Sequence, residues 1–75
     1  MNQKKTPQLL DLVAVLSNAG QSDDVEIGDV GTVVELLPLD GAEIEFLDRS
    51  GRTRCIATFP VADILVLNRD RTAVG

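Results

Sequence analysis

The chain has 75 residues, with seven basic and twelve acidic side chains and a net charge of −5 at pH 7. That length allows one domain, and the acidic balance argues against binding to nucleic acid or to an anionic membrane surface. The sequence contains no His, Tyr or Trp and one Cys. It therefore lacks the usual general base, the commonest metal ligand, the best stacking aromatics and any internal disulfide.

The N-terminal part of the chain predicts a flexible tail over residues 1–9 and a first strand over residues 10–16. Lys4 and Lys5 precede an apolar stretch that loosely resembles a signal peptide, but Asp11 interrupts it. No segment is long enough to span a bilayer. We therefore expect a cytoplasmic protein.

The centre of the chain predicts a loop, a turn and a long strand. Gly, Ser and Asp residues crowd positions 18–27, which is typical of a loop. Gly28 and Gly31 then predict a tight turn, because glycine adopts positive φ without a Cβ clash. The β-branched residues that follow predict a second strand over residues 32–37.

The second half of the chain predicts three more strands. Residues 42–48 alternate between apolar and charged side chains, which is the period of a half-buried strand. Residues 53–59 predict the fourth strand and residues 64–67 the fifth, with a single helical turn at residues 61–63 between them. Residues 68–75 are polar and predict a loose C-terminal tail.

Strand register follows from the rule that opposed residues share a face. A two-residue or four-residue loop between the third and fourth strands points Cys55, Ala57 and Phe59 inward with Phe46, and Arg54 and Ile56 outward. A three-residue loop at residues 39–41, with Gly41 in the left-handed region, sets Val34 opposite Phe46 and Glu35 opposite Glu45. The predicted core is Val34, Leu36, Ile44, Phe46, Ala57 and Leu65.

These elements predict an all-β fold, a five-stranded SH3-like small barrel over residues 10–67 with a short helical turn before the last strand. The sequence resembles a family of short bacterial proteins called domain of unknown function 4926. The resemblance implies this fold, and it implies no activity, catalytic residue or cofactor. It rests on Leu-Asp-Leu-Val-Ala-Val at residues 10–15, Ile-Gly-Asp-Val-Gly-Thr-Val-Val-Glu at 27–35, Ile-Glu-Phe at 44–46 and Thr-Phe-Pro-Val-Ala-Asp-Ile-Leu at 58–65.

Four features could indicate a small-molecule or metal site, and each has a plainer structural interpretation. The acidic residues of the 23–29 loop lack the spacing of a calcium loop and are typical of a solvated loop. Gly28 and Gly31 have no following helix to bind phosphate. The arginines at 49, 52 and 54 favour a solvated hairpin with cross-strand pairs to Asp48 and Glu45. Cys55 is expected to be a small buried hydrophobe.

The outer surface remains as the candidate functional region. Either face of the first strand is apolar, so some apolar side chains must be exposed beside acidic ones, a pattern that can mark a protein contact. The predicted register gathers Glu35, Glu43, Glu45 and Ile56 on one outward face, with only Arg54 placed to offset the glutamates.

Those residues predict a non-catalytic protein-binding module that docks on an unidentified protein partner or self-associates. An accessory, antitoxin or immunity role is a narrower form of this hypothesis, since an acidic surface suits a basic toxin. The alternative is a small barrel that binds nucleic acid. We expect no enzyme activity, no cofactor, no metal and no membrane contact.

Overall fold

The computed structural model describes residues 5–67 and contains one antiparallel sheet of five strands, which confirms the all-β fold. The strands lie in the order β4-β3-β2-β1-β5, so β4 and β5 form the two edges and the sheet is not closed into a barrel. The elements are β1 (Leu12–Val15), β2 (Val30–Leu37), β3 (Gly41–Leu47), β4 (Thr53–Pro60), a 3-10 turn (Val61–Asp63) and β5 (Ile64–Val66).

The predicted single helical turn is present between β4 and β5. Pro60 precedes it in an extended conformation, with φ of −62° and ψ of 143°. Proline has this φ built into its ring and cannot donate to the sheet, so it suits the end of an edge strand. The turn brings β5 back beside β1, where Val15 pairs with Ile64.

Gly31 lies inside β2, opposite Val13, so its predicted place in a tight turn is wrong. The turn is at Gly28, where φ is +95°. A Cβ at Gly31 would lie 2.5 Å from Ile44 Cγ2 and 3.0 Å from Phe46 Cδ1. The glycine is therefore required by close packing against β3 rather than by backbone conformation.

The core lies on the inner face of the sheet and is centred on two aromatic rings. Phe46 and Phe59 meet edge to face, with ring centroids 6.1 Å apart and ring planes at 71°, an arrangement that aromatic pairs prefer. Ile44 and Phe46 are fully buried as predicted. The buried residues are Val13, Val15, Val25, Val33, Ala42, Ile44, Phe46, Phe59 and Ile64.

Three predicted core residues lie elsewhere. Val34 is only half-buried, and Leu36 and Leu65 are exposed. Leu65 points outward because its neighbour Ile64 is the residue of β5 that pairs across from buried Val15. The prediction for Ala57 holds in a weaker form, since it is half-buried and packs against the core.

The β3–β4 hairpin has the predicted register over most of its length. Phe46 pairs with Cys55 and Ile44 pairs with Ala57. Cys55 is half-buried against the core, Phe59 is fully buried and Ile56 is exposed. The strict alternation of β3 therefore predicts which side chains of this hairpin point inward.

The β2–β3 hairpin departs from the predicted register because its closing pair is Leu37–Gly41 and because β2 contains a bulge. Val33 pairs with Ile44 and Glu35 pairs with Glu43, so Val34 is an extra residue between two regular pairs. The loop prediction is wrong in one detail as well. Leu39 and Asp40 have positive φ, 63° and 62°, whereas Gly41 begins β3.

The loop between β1 and β2 contributes to the core through Val25, which is buried. Asn18 organises this loop, because its side-chain amide donates to the carbonyl oxygens of Ser22, at 2.6 Å, and Val25. Part of the predicted N-terminal tail is also described. Pro7 is buried, and the Gln8 N–H donates to the Asp11 carboxylate at 2.9 Å. The rest of that tail, residues 1–4, and the predicted C-terminal tail at 68–75 lie outside the described residues.

Candidate protein-binding surface

Glu35, Glu43, Glu45 and Ile56 lie on the outer face of the β2–β3–β4 sheet, and we call this group the acidic patch. Glu35 pairs directly with Glu43, and Glu45 pairs directly with Ile56. Glu43 and Glu45 are two residues apart on β3, so they share a face. The structure thus brings together the four residues that the sequence analysis placed on one outward surface.

The pairing within the acidic patch differs from the predicted one. The β2–β3 loop closes at the Leu37–Gly41 pair, which sets Glu35 opposite Glu43, so the expected Glu35–Glu45 pair is wrong. Glu45 instead lies opposite Thr32 and accepts a hydrogen bond from the Thr53 hydroxyl. Like charges directly opposed across a sheet are mildly destabilising, so the Glu35–Glu43 pair weakens the sheet slightly unless its charge is neutralised.

Arg54 was expected to point outward and offset the glutamates. It is exposed, but its guanidinium pairs with Asp29 and not with a glutamate of the acidic patch. A register shift at the end of the β3–β4 pairing sets Leu47 opposite Thr53 and leaves Arg54 as the extra residue. Bulges re-aim side chains in this way. The guanidinium carbon lies 5.8 Å from the centroid of the Phe46 ring, and Nη2 lies 3.3 Å from Asp29 Oδ2.

The re-aimed Arg54 joins β4 to the loop that precedes β2. Its Nη1 donates to the Asp24 carbonyl, and its Nη2 pairs with the Asp29 carboxylate. Asp29 also accepts the Glu26 N–H at 2.9 Å. Arg54 therefore has a structural role in that loop, and it leaves the acidic patch without a neighbouring cation from the five strands.

The acidic loop forms one wall of an open depression of about 440 Å³. The opposite wall includes Asp48 and Arg49 of the β3–β4 loop and Arg54. Among residues 5–67, no group of three or more His, Cys, Asp or Glu side chains could hold a metal ion. Of the carboxylates at 23, 24, 26 and 29, Asp29 is the one with defined partners, Arg54 and the Glu26 N–H.

Asp48 closes the β3–β4 loop instead of forming the predicted ion pair with an arginine of the hairpin. Its Oδ1 accepts the Ser50 hydroxyl at 2.7 Å, the Ser50 N–H at 2.9 Å and the Arg52 N–H at 3.0 Å. These bonds, the one from the Ser50 side chain foremost, lower the pKa of the Asp48 carboxyl from its ordinary value of 3.8. The charged form of Asp48 is therefore the one that stabilises the loop.

The outer face of β1 is apolar and exposed, as its sequence predicted. Leu12 is 48% exposed and lies opposite Thr32, whereas Val13 beside it is fully buried. Leu12 and Glu45 thus flank the same β2 residue, Thr32. Apolar side chains on β1 and acidic side chains on β3 form parts of one continuous outer surface.

Within residues 5–67, no helix is long and apolar enough to cross a membrane. The single antiparallel sheet, the buried aromatic pair and the acidic outer face define a small all-β domain. The chain belongs to the family described as "Domain of unknown function (DUF4926)", whose sequence model matches residues 9–66. This match confirms the resemblance identified from the sequence motifs. Neither a curated protein nor a solved structure matches the chain.

Proposed function

We propose that this protein is a non-catalytic protein-binding module whose acidic patch binds a basic surface of a partner protein. The observation that carries this proposal is the acidic patch itself, in which Glu35 and Glu43 pair directly and Glu45 lies beside exposed Ile56. An apolar centre with a charged rim is the usual anatomy of a protein interface.

The distribution of basic residues supports a basic partner. Arg54 is the only Lys or Arg in the five strands, and it pairs with Asp29 away from the acidic patch. The glutamates therefore present their charge outward without a cation from the sheet. Charge complementarity of this kind chiefly raises the association rate and excludes wrong partners.

The exposure of the carboxylates supports a binding role over a catalytic one. Every polar or charged side chain within residues 5–67 has at least some contact with solvent. General acid–base catalysis by paired carboxylates relies on an apolar, water-poor environment around one of them. The three glutamates of the acidic patch lie on an open sheet face instead.

We further propose that the domain is of the SH3-like small-barrel type, with its sheet left open between β4 and β5, and that it acts in the cytoplasm. The support for this fold is the succession of hairpins from β2 to β4, followed by a 3-10 turn that returns β5 to the side of β1. The narrower antitoxin or immunity role fits the same acidic patch, since a toxin that acts on nucleic acid needs a basic surface.

The test compares two triple variants with the same change in net charge. One variant changes Glu35, Glu43 and Glu45 to Lys, and the control changes Asp23, Asp24 and Glu26 of the loop to Lys. Each replaces three negative charges with three positive ones, so the net charge rises by six, from −5 to +1. Partners captured by the parent from a native lysate are quantified for all three proteins at low and physiological salt.

We expect the patch variant to lose a salt-sensitive partner that the loop variant still captures. Thermal melts confirm that both variants are folded. Equal capture by the folded patch variant would show that the acidic patch is not the site. A shift of labelled DNA or RNA by the parent at physiological salt would favour the nucleic-acid alternative instead.

A further inference from the structure

An exposed apolar strip runs beside the acidic patch on the same face of the sheet. Ala14 of β1 pairs with Val30 of β2 on one side and with Leu65 of β5 on the other, so these side chains share the outer face with Leu12. Leu12, Val30 and Leu65 are 48%, 51% and 38% exposed. We call Leu12, Ala14, Val30 and Leu65 the outer apolar strip.

The outer apolar strip is continuous with the acidic patch. Leu12 pairs with Thr32, Thr32 pairs with Glu45, and Glu45 pairs with Ile56. One row across four strands therefore passes from an exposed leucine through a threonine to a glutamate and an isoleucine. Contiguous exposed apolar groups with a polar border mark interaction sites more often than scattered ones.

We propose that this composite face binds a basic amphipathic helix of a partner protein, which lies along the strands with its apolar side on the outer apolar strip. This inference rests on the proposed function and names the partner class. Strands are spaced about 4.8 Å apart, so β1 and β3 lie roughly 10 Å apart. A helix with its side chains is about 10–12 Å wide, so lysines on one flank reach Glu43 and Glu45.

Charge complementarity favours this helix over a second copy of the chain. A second copy carries the same net charge of −5, and the one basic residue of its strands, Arg54, is paired with Asp29. Such a copy could cover the outer apolar strip but would bring no cation from its sheet to Glu43 and Glu45. A basic helix provides both the apolar and the charged contacts.

The test uses a synthetic 18-residue helical peptide as the probe, with leucines on one face, lysines along its flanks and a single tryptophan in the apolar face. The protein has no Trp and no Tyr, so tryptophan fluorescence reports burial of the peptide without background. A scrambled peptide of the same composition and a peptide with glutamates in place of lysines are the two ligand controls.

Two sets of protein variants separate the outer apolar strip from the acidic patch. Leu12→Gln with Leu65→Gln removes apolar contacts from the strip, and Leu39→Gln, at a leucine that is 98% exposed in the β2–β3 loop, is the matched control. Glu43→Lys with Glu45→Lys reverses charge in the patch, and Asp23→Lys with Asp24→Lys is its control. Sedimentation of the parent alone reports its oligomeric state.

We expect the amphipathic lysine peptide to bind and both peptide controls to fail. Binding should weaken about tenfold or more in the strip variant and in the patch variant, and stay unchanged in their controls. Loss in the patch variant alone would overturn the composite face and leave the proposed acidic site standing. Loss of peptide binding in the strip variant alone would overturn both the composite face and the proposed acidic site. Equal binding by all variants would also overturn both. A stable parent dimer that the strip variant dissociates would make the second copy the occupant and overturn the helix.

Discussion

The two hairpins of the sheet differ in how closely their strand pairing follows the alternation of inward and outward residues along the sequence. In the β3–β4 hairpin, Phe46 lies opposite Cys55 and Ile44 opposite Ala57, as alternation requires. In the β2–β3 hairpin, one extra residue at Val34 reverses the alternation of residues 30–33 relative to residues 35–37. The position of the hairpin loop therefore sets Glu35 opposite Glu43, and the bulge sets Thr32 opposite Glu45.

The loops of the two hairpins differ in the same way. The β3–β4 loop has Gly51 at φ of +87° and the Asp48 side chain as an internal acceptor, so its residues suit its conformation. The β2–β3 loop holds Leu39 and Asp40 at positive φ, and a leucine rarely adopts that conformation. In the β3–β4 hairpin, the loop residues and the strand alternation both agree with the observed structure. In the β2–β3 hairpin, packing overrides both.

The largest expected loss of stability is at Phe46, a fully buried residue of β3, the strand that both hairpins share. Phe46→Ala should cost about 3–5 kcal/mol, which approaches the whole stability expected of so small a domain. Circular dichroism and urea unfolding measure the loss. A variant as stable as the parent would show that the aromatic pair of Phe46 and Phe59 is not the centre of the core.

The next largest expected loss of stability is at Gly31, where β2 packs closely against β3. A Cβ there would lie 2.5 Å from Ile44 Cγ2 and 2.7 Å from the Glu45 carbonyl oxygen, so Gly31→Ala should destabilise the fold by about 1–3 kcal/mol, and Gly31→Val by more. Gly41→Ala is the control, because its Cβ would lie 3.5 Å from Leu37 Cβ. Equal melting temperatures for the two alanine variants would contradict the close approach of the strands.

The bulge itself is tested by comparing alanine variants of the neighbouring residues Val33 and Val34. Val33 is fully buried and Val34 is half-buried, so Val33→Ala should cost roughly 2 kcal/mol and Val34→Ala under about 1 kcal/mol. Chemical denaturation of both variants gives the two values. A larger loss of stability for Val34→Ala than for Val33→Ala would favour the register predicted from the sequence, in which Val34 lies opposite Phe46.

The smallest expected effect is the pH dependence contributed by Asp48. Its folded-state pKa is lowered from 3.8, so its contribution to stability is present at neutral pH and is lost as the pH falls through the folded pKa. The stability gap between the parent and Asp48→Asn should therefore close as the pH falls below 3.8 and through the lowered folded-state pKa. Because Asp48 is exposed, the gap should be small; a gap that persists unchanged in acid would contradict the role of its charge.

The sequence by itself determined the strands, the helical turn and the surface character. Alternation in β3 identified Ile44 and Phe46 as core residues and placed Glu43 and Glu45 outside, because opposite faces of a strand have opposite polarity when one face is buried. The family motif Ile-Glu-Phe at residues 44–46 has the same alternation. The apolar outer face of β1 was also evident, since both faces of this strand are apolar and only one can be buried.

Tertiary structure alone decided the bulge at Val34, the pairing of Arg54 with Asp29 and the burial of Val25. The bulge depends on how β2 packs against β3, and the other two depend on contacts between segments that are far apart in the chain: β4 against Asp29, and the 18–27 loop against the sheet. Local propensity does not encode such contacts, because a bulge or a loop contact is selected by packing. For the same reason, the sequence identified the four residues of the acidic patch, whereas the fold determined which of them are paired.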